Sequence, residues 1–243
     1  MARMEQVTAG IYRLGRKRHN FYLLIDGQRA TVVDTGGSSE LSLLRSALAS
    51  CGLTLDSVEA ILLTHAHTDH IGFASLAAKQ GISVKTHEDE AAYAMDGSAG
   101  SQVGTMDLPM WKPRAILFVA EMIRAGAHRA HRLTSVETVT DGERLDLPGR
   151  PLVVATPGHT AGHASYLIEE RKTLFSGDAL VTDGLVSGKT GPPQLLPEKF
   201  HQDATKARKS LESLARLDAE LLLPGHGRPW RGPISAAVSL ASS

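Results

Sequence analysis

Thr64-His65-Ala66-His67-Thr68-Asp69-His70 is the stretch around which the rest of the chain can be read. It sets four metal-ligand side chains in the pattern His-x-His-x-Asp-His, a density that a merely polar loop seldom reaches. Before it, Ser57-Val58-Glu59-Ala60-Ile61-Leu62-Leu63 is a short apolar run of the kind that makes a buried strand. After it, residues 71–79 carry helical periodicity and stop at Gly81. The ligands therefore leave the C-terminal end of a strand, where α/β folds place their sites. In an extended segment residues i and i+2 point the same way, so His65 and His67 can grip one ion together. Asp69 and His70 fall at the turn into the helix, face elsewhere, and suit a second ion.

The 243 residues suffice for one large core, and no linker divides them, so residues 1–243 read as a single domain. With 42% hydrophobic and 21% charged residues the composition is that of a globular protein. The 26 basic and 26 acidic residues cancel, which argues against a general nucleic-acid partner. Arg16-Lys17-Arg18-His19, between two strand-like runs, reads as a solvated hairpin tip. No apolar stretch approaches membrane-spanning length, and the first residues lack an apolar segment of signal-peptide type. A cytoplasmic protein with no membrane partner is the default expectation. The single cysteine, Cys51, cannot form an intrachain disulfide and reads as a small buried hydrophobe at a helix end. Any metal site must then be built from nitrogen and oxygen.

Taken in order, residues 11–14, 21–25 and 30–33 read as strands, with a turn at Asp26-Gly27. The third runs into Asp34-Thr35-Gly36-Gly37, where Asp34 reads either as a helix-capping turn residue or as a carboxylate supporting the metal loop. A helix follows over 38–50, a strand over 82–85 and a helix over 88–95. The strand–helix rhythm breaks near residues 96–135, an insertion rich in Gly and Pro around the apolar helix 115–123. A lid over the site, a helix packed on the core and a homodimer interface are its three open readings. His128 and His131, among arginines, read as solvated. Strand 152–155 then leads into Thr156-Pro157-Gly158-His159-Thr160-Ala161-Gly162-His163. A hairpin over 165–175 leads into Ser176-Gly177-Asp178, and, after a helix over 203–217, strand 220–223 leads into Pro224-Gly225-His226. Three further strands thus end in a His or Asp flanked by glycine. The pattern is of α/β (α+β) class with every candidate ligand at a strand end.

Asp34, His65-x-His67-x-Asp69-His70, His159, Asp178 and His226 resemble, in order, the five motifs of the metallo-β-lactamase-fold hydrolases, over nearly the whole chain. The resemblance implies an αββα sandwich of two mixed sheets with helices outside. It implies one metal on His65, His67 and His159, another on Asp69, His70 and His226, and Asp178 bridging them. Two divalent ions about 3.5–4 Å apart hold a hydroxide at neutral pH that attacks an electrophilic carbonyl or phosphorus. Asp69 is then both ligand and proton carrier to the leaving group. Zinc suits such ligands best, with iron, manganese and cobalt as alternatives. Asp34 and His163 are candidates to orient the ligand imidazoles, and a structural role is the other reading of His163.

Departures within the family narrow the expectation. Asp178, where zinc β-lactamases carry Cys or Ser, makes the site similar to the glyoxalase II and lactonase branch. The short stretch after His226 leaves little room for the helical extension with which glyoxalase II holds glutathione, and residues 179–185 lack the tyrosine common among lactonases. Flavodiiron relatives carry Glu where His67 stands, and RNase Z-like relatives add an arm for RNA. The expected activity is hydrolysis of a small ester, lactone or thioester. Phosphodiester hydrolysis and iron-dependent oxidation of a thiol or persulfide are the alternatives. The substrate-binding residues are not legible; loops 96–135 and 180–200 are the places to seek them.

Overall fold

The computed structural model describes residues 4–16, 19–96, 108, 110–126, 132–185, 187 and 189–242. Its strands are β1 (Glu5–Thr8), β2 (Ile11–Gly15), β3 (Asn20–Asp26), β4 (Arg29–Val33), β5 (Val58–Leu62), β6 (Ser83–His87) and β7 (Glu137–Val139), then β8 (Leu152–Ala155), β9 (Ala164–Ile168), β10 (Thr173–Gly177), β11 (Val181–Asp183), β12 (Thr190–Gln194), β13 (Leu221–Pro224) and β14 (Trp230–Arg231). The helices are α1 (Leu41–Ser50), α2 (Ala74–Ala78), α3 (Ala91–Asp96), α4 (Pro113–Ala125), α5 (Ala204–Leu214) and α6 (Ile234–Ala241). The first seven strands form one mixed sheet in sequence order, and a second sheet has the order β14-β13-β10-β9-β8. β11 and β12 form a separate hairpin ladder.

Period-two alternation explains why the sheets stack. On β3, Tyr22 and Leu24 face the second sheet, while Phe21 and Leu23 face the helices. On β5, Ala60 and Leu62 face inward while Ile61 faces outward. The second sheet answers with Tyr166, Ile168, Phe175, Leu221 and Leu223. These residues make the middle core, and burying each large side chain is worth about 1.5–3 kcal/mol. Outside the first sheet, Leu44 and Leu48 of α1 and Ala74 and Ala77 of α2 complete one layer. Outside the second, Leu211 and Leu214 of α5 and Ile234 and Ala237 of α6 complete the other. The αββα architecture expected from the sequence is the one observed. No helix among the described residues is long and apolar enough to cross a membrane.

Three expectations need correction. The basic tip is not solvated at both ends: His19 is fully buried with Nε2 2.6 Å from Glu40 Oε2, and Arg16 Nε lies 3.2 Å from Glu40 Oε1. A buried carboxylate draws the hairpin in; Lys17 and Arg18 lie outside the described residues. The helix after the metal loop begins at Ala74 rather than Ile71. The His70 carbonyl accepts from Thr35 N (2.7 Å) and Thr35 Oγ1 (2.7 Å) and is not used to start a helix, while Ala74 N turns back to Ile71 O (2.9 Å). Cys51 is half-buried, at the exposed end of α1. Residues 96–135 hold α4, which is tied to the segment after β4 by Ser38 Oγ donating to Gly126 O (2.9 Å) and Ser39 Oγ donating to Ala125 O (2.8 Å). Ile116, Leu117 and Ile123 are exposed on it. His128, His131 and most of the insertion before α4 lie outside the described residues.

Candidate metal centre

Parallel pairing sends β4 and β5 of one sheet, and β10 and β13 of the other, to the same end of the sandwich. Their loops meet there across the seam. Ala164 N donates to Thr64 O (2.9 Å) and Asn20 N to Gly225 O (2.8 Å) across it, and within the second sheet Gly225 N donates to Gly177 O (2.8 Å). Tyr166 reaches across the middle core to donate to Leu63 O (2.8 Å). Gly225 is required by close approach: a Cβ there would stand 2.3 Å from Asp178 Oδ1 and 2.7 Å from His70 Cε1.

The seven side chains singled out in the sequence converge in this place. His65, His67 and His159 bring one nitrogen each within 4.8 Å of one another; Asp69, His70 and His226 form a second such group, and His65, His70 and Asp178 a third. His159 Nε2 is 2.9 Å from His67 Nδ1. Asp178 Oδ2 lies 3.4 Å from His159 Nε2 and 3.1 Å from His226 Nε2, while Oδ1 lies 3.6 Å from His70 Nε2. Asp69 Oδ2 is 3.6 Å from His226 Nε2 and 4.0 Å from His70 Nε2. One carboxylate thus touches both three-residue groups. His65, His70, His159, Asp178 and His226 are buried, while His67 and Asp69 are half-buried and mark the side open to solvent.

The hydrogen bonds behind these residues fix their tautomers. Asp34 takes Thr64 N on Oδ1 (2.8 Å), and Oδ2 takes the Thr64 hydroxyl (2.9 Å) and His70 Nδ1–H (2.9 Å). His65 Nδ1–H in turn donates to Thr64 Oγ1 (3.0 Å). Both Nε2 atoms thereby face the cluster, that of His65 as a lone pair and that of His70 as a lone pair once a cation displaces its second proton. Asp34 itself sits at φ +59°, a left-handed conformation that aspartate tolerates and that turns its carboxylate under the loop. His163 answers to the structural of its two readings. It orients no imidazole of the cluster; its Nδ1–H donates to Thr156 Oγ1 (2.8 Å) and its Nε2 accepts from the backbone N–H of Asp178 (3.0 Å). It places the carboxylate and stays neutral, burial pushing its pKa down to about 3.

Charge in the cluster calls for a cation. Burial pushes His65 and His159 well down and His67 to about 4, so these are neutral imidazoles. Burial opposes charge on His70 too, but Asp178, Asp34 and Asp69 outweigh it and raise its pKa to about 10. His226 is raised to about 9 against the same burial, chiefly by Asp178. Asp178 is held well below the carboxylate range, although it is buried, by His226 and His70. Protons on two histidines therefore balance the carboxylates where no other cation does. His65 Nε2, His70 Nε2 and Asp178 Oδ1 are buried with no hydrogen-bond partner among the described residues. Buried polar atoms left without a partner cost about 1–3 kcal/mol each unless something ligates them. Neutral imidazoles and carboxylates are the donors a divalent ion of the zinc type takes.

Residues 14–226 match the sequence profile of the Metallo-beta-lactamase superfamily. The chain belongs to that superfamily. It is 29% identical over 212 residues to the beta-lactamase-like protein 2 homolog of Caenorhabditis elegans, an alignment covering 86% of this chain and 55% of that protein. It is 30% identical over 187 residues to the probable metallo-hydrolase YflN of Bacillus subtilis, covering 72% of this chain and 66% of YflN. The chain thus spans between half and two thirds of these relatives' length. Among solved structures, a metallo-beta-lactamase family protein of Thermus thermophilus superposes with a TM-score of 0.68 at 27% identity, over 97% of this chain and 79% of the other. This superfamily member also has contacts that sequence reasoning left unassigned. Thr64 stands inside the quoted motif, but nothing in its spacing shows that its hydroxyl links Asp34 to His65. His201 packs edge-on against His159 with ring centroids 5.5 Å apart, and Glu90 lies behind the histidine loops.

Proposed function

We propose that this superfamily member is a dinuclear metal-dependent hydrolase of a small ester, lactone or thioester. The observation that carries the reading is Asp178, whose carboxylate joins the His65/His67/His159 group to the Asp69/His70/His226 group while one of its oxygens is orphaned. His65, His67 and His159 would hold one ion, Asp69, His70 and His226 the other, and Asp178 both. Zinc is the ion this donor set favours, with iron, manganese or cobalt also able to fill it. Two such ions supply an acidified water as nucleophile and a Lewis acid for the carbonyl oxygen. Each ion would have three donors of its own and a share of Asp178, and zinc can expand to five-coordinate to admit a water or substrate.

The chain's own residues supply the rest. Asp34, through Thr64 and directly, holds His65 and His70 in the ligating tautomer. His163 holds the Asp178 backbone. Asp69, half-buried on the open side with its carboxyl held below the usual range by His70 and His226 despite burial, would carry a proton to the departing alcohol or thiol. The kinship to a protein named as a metallo-hydrolase supports hydrolysis over metal storage.

The test is elemental analysis of the purified protein beside turnover of a lactone, a thioester and a phosphodiester. Two zinc-type ions per chain, with ester-class turnover lost on chelation, is the expected result. Turnover confined to the phosphodiester would move the assignment to that class. One iron per chain, oxygen consumption with a thiol and no hydrolysis would overturn the reading.

A further inference from the structure

Three acidic residues follow β6 in a 3-10 turn, Glu88-Asp89-Glu90, and they part company in the fold. Glu88 and Asp89 are exposed; Glu90 is fully buried. Its Oε1 accepts from the backbone N–H of Ala66 at 2.9 Å. Its Oε2 accepts from the Thr160 hydroxyl at 2.8 Å and from the backbone N–H of Gly162 at 3.0 Å. Ala66 stands between His65 and His67, and Thr160 follows His159. One carboxylate therefore fastens both loops that carry the first ligand group. These three partners all lie on those loops; none is Asp69, His70, Asp178 or His226.

The close approach is built into the backbone. A Cβ on Gly162 would stand 2.2 Å from Glu90 N and 2.5 Å from Asp89 C, so only glycine lets the acidic turn lie against the His159 loop. A carboxylate suits the position because it alone accepts three hydrogen bonds at once while donating none. Charge-assisted bonds of this type are the stiff ones, and two of them end on backbone amides within a few residues of a ligand.

We propose that Glu90 is a positioning residue that sets the gap between the His65/His67 loop and the His159 loop, and so the affinity of one metal position and not the other. The proposal rests on the dinuclear reading. A carboxylate that merely stabilised the fold would weaken both positions alike.

The experiment is competition of zinc against a chelator of known affinity, in two backgrounds. His226→Ala leaves the His65/His67/His159 position intact, and His67→Ala leaves the Asp69/His70/His226 position intact. Glu90→Gln keeps the side-chain shape but turns an amide N–H toward a donor. In the His226→Ala background it is expected to weaken zinc by about 10–100-fold, the usual effect of removing a group that supports ligands. In the His67→Ala background it is expected to change nothing. Thr160→Val, which removes one of the three donors at nearly constant volume, should show the same selectivity more mildly and carries the test if Glu90→Gln does not fold. Equal weakening in both backgrounds, or none in either, overturns the proposal. A parent chain that binds a single ion overturns the dinuclear reading instead. Unchanged affinity for that one ion in Glu90→Gln would then overturn the role of Glu90 as well.

Discussion

Replacing Asp34 by asparagine removes one charge and almost no volume. Asparagine tolerates the left-handed φ of +59° at this position, so the backbone gives no reason for failure. The cost falls on the hydrogen bonds. Oδ1 can still accept from Thr64 N–H, but an amide nitrogen in place of Oδ2 turns a donor toward the Thr64 hydroxyl and His70 Nδ1–H, both 2.9 Å away. Loss of a bond to a charged group costs about 1.5–3 kcal/mol. A chain of this size loses about 2–4 °C of melting temperature per kcal/mol, so the metal-free variant should melt about 3–12 °C lower yet remain folded. The effect on the site should be larger than the effect on the fold. With its partner gone, His70 can turn Nε2–H toward the cluster, and removing such a support typically costs about 10–100-fold in metal affinity or activity. The assay is zinc competition together with kcat/KM on whichever ester the wild type turns over. An Asp34→Asn protein with both zinc affinities and the turnover of the wild type would refute the role given to this carboxylate.

His67→Ala should abolish hydrolysis and leave a folded protein, because His67 is half-buried and belongs to no apolar cluster; circular dichroism beside turnover checks both halves. Gly225→Ala should cost metal affinity far out of proportion to its size, since the added methyl would overlap Asp178 Oδ1 and His70 Cε1; wild-type zinc binding in that variant would show that the loops can yield. Stripping the protein of metal should give a stability maximum near pH 6.5, the ordinary value for histidine. Above it, His70 and His226 keep protons that the unfolded chain has released, so stability falls as pH rises toward their folded values of about 10 and 9. Below it, the unfolded chain takes up protons that His67 and His163 refuse down to about 4 and 3, so stability falls again. Urea unfolding in the presence of chelator, repeated from pH 5 to 9, would contradict this with a steady rise across the range.

Much of this was legible in the sequence because it is local. Each candidate ligand follows a strand whose apolar run is unmistakable, and glycine beside His159, Asp178 and His226 marks the tight turns. Strand ends in an α/β pattern lie at one edge, so convergence of the seven could be inferred without coordinates. What stayed hidden is the set of contacts between segments remote in sequence. Glu90 looked like one of three acids at a helix start, and its burial is decided by loops at 66 and 160–162. His19 looked like part of a basic tip because Glu40, which holds it, reads as an ordinary helix residue. The Asp34 carboxylate was suspected from its place at a strand end, but its reach to both Thr64 and His70 follows from a positive φ that no pattern announces. His163 stays open in the sequence because a second histidine four residues after a candidate ligand suits an orienting or a structural role, and the contact that decides it, to the backbone amide of Asp178, is remote in sequence.

The site straddles the seam between the two sheets. Asp34 and residues 65–70 come from the first sheet, and His159, Asp178 and His226 from the second. The residues of the first layer precede Asp178 and His226 in the chain, so on the dinuclear reading neither ion would find its full set of donors until the layers had closed on each other. An ion entering then would act as a rivet between two otherwise apolar faces, and the sheets could not part without letting it go. Loading would mark the completion of assembly, and loss of metal would be the first sign that the sandwich is coming open.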